Sequence, residues 1–271
     1  MTSFKRYGFW LVVSWIMVLS LARESRSEII QFTLDPTRSS LTFRGNANVA
    51  GIGNFVFLPQ GPNSLITQYT GTVTADVSSF LNPSSIQFNS ASIVASNNGS
   101  WVPSVTTNGT NLTTPAPANY GSTAAIGNGA IRNLSFNLTS GAMSISGGSF
   151  GPATQLFTNL PGGTLHIGGA AGESNVNMTS IVDATAPSRP NTTLTNATVT
   201  STASLLTISL PVDFNFNYNI PGDPNVNGNL GYSGTLVFTA VPEPTSFLLL
   251  GSCGIVGGII RSRTRKRRVI V

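Results

Sequence analysis

Cysteine, histidine and lysine are almost missing from this chain. Its 271 residues include one cysteine, Cys253, one histidine, His166, and two lysines, Lys5 and Lys266, one near each end. A single cysteine excludes an internal disulfide. One histidine and one cysteine are too few for a structural or catalytic zinc site. No Ser-His-Asp order carries a GxSxG elbow, and residues 23–240 offer no lysine as a base or nucleophile. No cofactor is expected, and the chain does not read as an enzyme.

Charge is scarce as well. Only 8% of the residues are Asp, Glu, Lys or Arg. The pI near 9.9 suggests a nucleic-acid partner, but the distribution of charge removes that reading. Residues 23–240 hold six arginines against eight acids, a net of −2. A phosphate-neutralising face is therefore absent from the middle of the chain, and no nucleic acid is expected as a partner. What replaces charge is Ser, Thr, Asn and Gly around a patterned 40% of apolar residues, too many for a disordered chain.

The positive charge sits at the ends. Lys5 and Arg6 precede an apolar run over 7–21, and Ser20-Leu21-Ala22 places small residues before a cut between Ala22 and Arg23. This is the pattern of a secretory signal peptide, 1–22, removed by signal peptidase. At the other end, residues 241–271 carry Pro242-Glu243-Pro244, a membrane helix expected over 246–260, and a basic stop over 261–268. The stop consists of Arg261, Arg263, Arg265, Lys266, Arg267 and Arg268. The uncharged stretch Phe247–Ile260 makes a helix about 21 Å long, short of the roughly 30 Å hydrocarbon core. The positive-inside rule keeps both basic ends in the cytoplasm and puts 23–240 outside.

The order of these parts, Val241-Pro242-Glu243-Pro244-Thr245, a short apolar run and terminal arginines, resembles the PEP-CTERM sorting signal of exported proteins in Gram-negative bacteria. The resemblance implies an exosortase, an integral-membrane protease, as partner, with processing near Pro242–Pro244. It also implies transient insertion in the inner membrane before release to the cell surface or extracellular matrix. The two prolines fit, because they forbid a helix around Glu243 and keep the backbone extended.

Residues 23–240 read as one all-β domain: an antiparallel barrel, or a strongly bent sheet or sandwich. In "LLTISLPVDFNFNYNI", Leu206, Ile208, Leu210, Val212, Phe214, Phe216, Tyr218 and Ile220 share one face, and Thr207, Ser209, Asp213, Asn215, Asn217 and Asn219 the other. Pro211 predicts an edge or a bend there. A strand this long curls into a barrel or bent sheet. A second alternating run covers 65–77. Shorter strands are expected at 29–34, 40–49, 53–58, 86–95, 130–138, 143–150, 154–158, 164–168, 175–182, 193–203 and 230–240. Polar loops are expected at 105–129 and 183–192.

The opening "FTLDPTRSSLTFRG" resembles the YceI-like family of exported lipocalin barrels that bind isoprenoid lipids, through Leu34-Asp35-Pro36, Ser39 and Phe43. Arg38 stands where that family usually has a histidine. The resemblance implies a lipid-binding barrel as one alternative. Carboxylate pairs drawn from Asp35, Asp76, Glu173, Asp183, Asp213 and Asp223 would suit a second, a secreted carbohydrate-active enzyme. "DPNVNG" puts Asp223, Asn225 and Asn227 at the first three ligand positions of a calcium loop, but Gly234 stands where its bidentate Glu belongs. Eight Asn-x-Ser/Thr sequons, Asn191 among them, presuppose a glycosylation pathway that a bacterial tail argues against. A structural or binding role at surface polysaccharide is the expectation that remains.

Overall fold

The computed structural model describes residues 27–242, except 60, 98–117, 124–126, 154, 170–171, 183–187 and 221–222. The signal peptide, Glu243, Pro244, the tail helix and the basic stop lie outside the described residues. Among those described, no helix is long and apolar enough to cross a membrane.

The chain is predominantly β. Its first half contains β1 (Glu28–Leu34), β2 (Ser40–Val49), β3 (Gly53–Val56), β4 (Leu58–Pro59), β5 (Ile66–Val77), β6 (Ser85–Asn97), β7 (Ala118–Thr123) and β8 (Gly127–Ser140). Two short strands follow, β9 (Met143–Ser144) and β10 (Ser149–Phe150), then β11 (Leu156–Gly169) and β12 (Gly172–Asn177). A single helical turn, α1 (Met178–Ile181), leads to β13 (Ser188–Pro190), β14 (Ala197–Ser201), β15 (Leu206–Ile220) and β16 (Asp223–Ala240). All sixteen strands join one sheet, and every pairing is antiparallel.

Four expectations change in detail. The stretch 105–129 is not all loop, since β7 and the start of β8 fall inside it. The 183–192 loop contains β13. The strand expected over 175–182 ends at Asn177, whose side chain caps α1 by accepting the Thr179 N–H at 2.9 Å. Residues 143–150 form two short strands around a turn, because Gly147 and Gly148 both adopt positive φ.

The sheet closes into a small barrel. β1 and β2 form one interrupted strand lying between β5 and β16, each pairing with both. From Leu34 to Ser40 the chain advances six residues while β16 moves three, from Phe238 to Thr235. From Thr33 to Ser40 it advances seven while β5 moves four, from Thr72 to Gln68. Both edges register the same three-residue surplus, which is taken up by the turn at 35–39. Ser39 repairs the ladder there. Its hydroxyl accepts the Val237 N–H at 2.9 Å and donates to the Val237 carbonyl at 3.3 Å.

The opposite wall is shut by residues 188–192. β13 pairs with β11, and the Asn191 N–H donates to the Leu156 carbonyl. On the other side the Asn191 side chain does the work of a strand. Its amide donates to the Pro211 carbonyl at 3.1 Å and accepts the Asp213 N–H at 2.8 Å. The Thr192 N–H then bonds the Asp213 carbonyl at 2.9 Å. Pro211 is thus not on a free edge. The β14 ladder stops at Ser209, and Asn191 takes over at the residue that lacks an N–H.

Inward side chains fill the lumen. Leu206, Ile208, Leu210, Val212, Phe214 and Phe216 of β15 are all buried, as the alternation requires. Burial of such side chains stabilises by about 1.5–3 kcal/mol each. Phe88 of β6 meets Phe238 of β16 across the interior at 6.2 Å, and Tyr69 of β5 meets Phe136 of β8 edge-on at 5.1 Å.

Closure through one side chain is testable. Asn191→Ala should orphan a part-buried carbonyl and N–H on β15 and cost about 1–3 kcal/mol in urea denaturation. Asn191→Asp, which cannot donate to Pro211, should cost at least as much. A loss below about 0.5 kcal/mol for both would show that the wall closes without it.

Candidate functional site

The outer face of the β2–β16–β15 wall gathers most of the unusual chemistry. Alternation sends even-numbered residues of β2 outward, and odd-numbered residues of β15 and β16. Register then aligns asparagines into rows. Asn54, Asn48, Asn227 and Asn219 lie side by side on β3, β2, β16 and β15. Asn46, Asn229 and Asn217 form the next row, and Arg44, Gly231 and Asn215 the third. Neighbours in a row sit about 4.8 Å apart, and rows about 6.8 Å apart.

These amides bond one another. Asn229 Nδ2 donates to Asn217 Oδ1 at 3.1 Å, and Asn48 Nδ2 reaches Asn227 Oδ1 at 3.5 Å. Asn46 Oδ1 accepts the Asn229 backbone N–H at 2.8 Å. Each amide has two donors and a two-lone-pair acceptor, so capacity is left facing solvent. Below the rows, Tyr218 donates from its hydroxyl to the Asn46 carbonyl at 3.0 Å, and burial pushes that hydroxyl up to about 12.

An ion pair links the third row to the next position along β15. Arg44 reaches over β16 to Asp213 on β15 and donates to Asn215 Oδ1 at 3.1 Å. Gly231 makes the crossing possible. A Cβ there would come within 2.7 Å of the Arg44 Cγ and Nε atoms and of Asn215 Oδ1. The pair balances Arg44 against Asp213, so the wall is polar, with Asp223 at the exposed start of β16 as a further charge.

Further along the same wall hydroxyls replace amides. Thr200, Thr207, Thr239, Thr33, Thr72 and Ser92 stand opposite one another across β14, β15, β16, β1, β5 and β6. Threonine suits this place because its branched Cβ fits the pleat and cross-strand pairs contribute about 0.2–1 kcal/mol. The row wraps a convex wall whose strands turn by about 20–25° each. Such a surface does not match a flat rigid lattice, but a flexible chain can follow it.

The other residues singled out from sequence disperse. Asp223 accepts the Asn225 N–H at 3.1 Å in its own turn, and Asn227 belongs to the amide row. Among the described residues no group of three His, Cys, Asp or Glu side chains could hold a metal. Asp35 accepts from the Thr37 hydroxyl at 2.7 Å and its N–H at 3.0 Å, which lowers its carboxyl below the usual value. Asp76 lies on β5 and His166 on β11, opposite Ala130 and Asn175. Glu173 lies on β12, opposite Gly168, and Asp183 lies outside the described residues. Ser39, which carried part of the YceI-like resemblance, is fully buried as a ladder-repair residue. Asn191, one of the sequons, is 2% exposed with both amide atoms engaged, a poor glycan acceptor.

Sequence reasoning found the β15 half of the amide face, through Asn215, Asn217 and Asn219. It missed the β2 and β16 halves, although "GNANV" and "PNVNGN" carry the same alternation. Comparison with family models, with curated proteins and with solved structures found no match.

Gly231→Val tests how the ion pair is seated. The new side chain should push Arg44 and Asn215 aside and cost about 1–2 kcal/mol. Arg44→Ala should cost under about 1 kcal/mol, because both partners are partly exposed. Equal costs in urea denaturation would show that Gly231 serves only the backbone.

Proposed function

We propose that this is an exported cell-envelope or extracellular-matrix protein whose mature barrel binds neutral polysaccharide on its outer wall. Signal peptidase cuts after Ala22. The tail at 241–271 holds the chain in the inner membrane until an exosortase-type protease processes it near Pro242–Pro244. The domain then works at the surface as a structural or binding element without catalysis.

The observation that carries this reading is the amide array on the β2–β16–β15 wall. Sugar hydroxyls are neutral and both donate and accept, and so do asparagine and threonine side chains. The Arg44–Asp213 pair on this wall is internally balanced, and residues 23–240 contain no lysine. The lumen offers little competition. A lipid site of the YceI type needs roughly 300–1,000 Å³. Here an interior cavity of about 10 Å³ lies between Leu41, Phe136, Phe214 and Tyr232.

Two experiments test the two halves of the proposal. In an exosortase-competent host, the intact mass of the mature protein should lack Arg261–Val271; a mass that retains them makes the tail a permanent anchor. In affinity electrophoresis through gels containing the host's neutral extracellular polysaccharide, the purified protein should be retarded. Replacing the exposed Asn48, Asn217 and Asn219 by Ala should weaken retention, by roughly 2- to 10-fold for each lost hydrogen bond. Unchanged retention in a variant that still folds would remove the face from the site.

A further inference from the structure

The domain begins and finishes at one end of the barrel. β1 starts at Glu28 and β16 stops at Ala240, and the two run antiparallel with Thr33 opposite Thr239. The turn at 202–205 and the connection at 78–84 lie at the same end, since Leu206 faces Ala240 and Val77 faces both Glu28 and Ile86. The Ser201 hydroxyl donates to the Phe80 carbonyl at 2.7 Å and ties that turn to that connection. The asparagine rows stand at the opposite end. From Ala240 up to Asn227, β16 covers about 40 Å.

The rim around the two termini is apolar on its outside. Ile29, Leu81, Leu205 and Val241 are 69%, 55%, 39% and 72% exposed. Leu205 and Val241 stand one residue beyond the last β15–β16 pair, and Leu81 follows the Phe80 that Ser201 holds. Scattered exposed side chains need no explanation, but apolar ones gathered at one end mark a contact surface. Glu28 and Asp76 stand beside Ile29, so the rim is not built to attract anionic phosphate.

The chain beyond the rim identifies the occupant. Pro242 is followed by Glu243, Pro244, Thr245 and Ser246, and then by the uncharged run from Phe247. Fully extended, that spacer reaches about 17 Å. A tail buried from Phe247 onward keeps the rim within that distance of the hydrocarbon, and the headgroup layer fills about 5–8 Å of it. A tether this short gives an effective concentration of about millimolar, so a weak contact is enough.

We propose that this rim docks on the lipid bilayer while the tail is inserted, with Ile29, Leu81, Leu205 and Val241 in the headgroup layer and the asparagine rows facing away from the membrane. The inference rests on the reading of residues 241–271 as a membrane-inserted tail. Apolar side chains at the interface are favoured by the area they remove from water. Docking holds Pro242-Glu243-Pro244 at the bilayer surface, within reach of a membrane-embedded protease. Ile52 and Val56 are also exposed, but they lie on the β2–β3 hairpin beside the asparagine rows and stay in water.

The test uses the intact chain, tail included, reconstituted in phosphatidylcholine vesicles. A fluorophore is attached at one cysteine at a time, and quenching by lipids spin-labelled at the headgroup reads membrane contact. The native Cys253 reports the tail. In a Cys253→Ser background, Leu81→Cys and Leu205→Cys report the rim, and Ile52→Cys reports the far end. All three replaced side chains are exposed, so the fold is retained. Docking predicts quenching at Cys253 and several-fold stronger quenching at positions 81 and 205 than at 52. Ile29→Asp combined with Val241→Asp should abolish quenching at 205 and leave that at Cys253 intact. Quenching at Cys253 with none at 81 and 205 would overturn the docking while the tail reading stands. No quenching at Cys253 would overturn the tail reading and the docking with it. Equal quenching at 52, 81 and 205 would mean adsorption without a preferred end, and would overturn the orientation.

Discussion

A backbone N–H or C=O buried without a partner costs as much as a lost hydrogen bond, and a barrel with broken register produces several. This chain meets the constraint with side chains. Ser39 bonds β16 where the interrupted first strand leaves a gap. Asn191 bonds β15 where β14 stops and Pro211 has no N–H to offer. On the sparsely paired β6–β8 seam, Ser140 accepts the Phe88 N–H and Asn137 accepts that of Ala91. Short polar side chains can mimic a peptide group, which lets the sheet close despite surplus residues and short strands. The wealth of Ser and Asn is thus partly an architectural need.

The same residue types on the outside have a different consequence. Outward-facing asparagines on β2, β15 and β16 bond each other, yet each amide has more hydrogen-bonding capacity than its neighbours consume. A face built this way is strongly hydrated and carries little charge. Contact with it has to be made by many weak, neutral hydrogen bonds at once, the mode suited to a long hydroxylated polymer.

Inside, the apolar faces of β15 and β16 leave little room for a guest. Their leucines and phenylalanines meet those of β5, β6, β8 and β11 and fill the lumen almost completely. The chemistry of the outer wall and the packing of the lumen are therefore separable, since the alternation sends each residue to one or the other.

Alternation along a strand is a local property, so the sequence alone determined the all-β character, the buried face of β15 and its polar face of Asn215, Asn217 and Asn219. Charge placement likewise determined that the net positive charge belongs to the two ends. Register is not local. That Asn48 would stand beside Asn227 and Asn219, or Thr33 between Thr239 and Thr72, depends on strands far apart in sequence meeting at one offset. Nothing in "FTLDPTRSSL" announced that Ser39 would serve as backbone, nor in "SRPNTTL" that Asn191 would shut the barrel. Those roles exist only because closing a cylinder leaves particular N–H and C=O groups unpaired, and only the tertiary structure decides which.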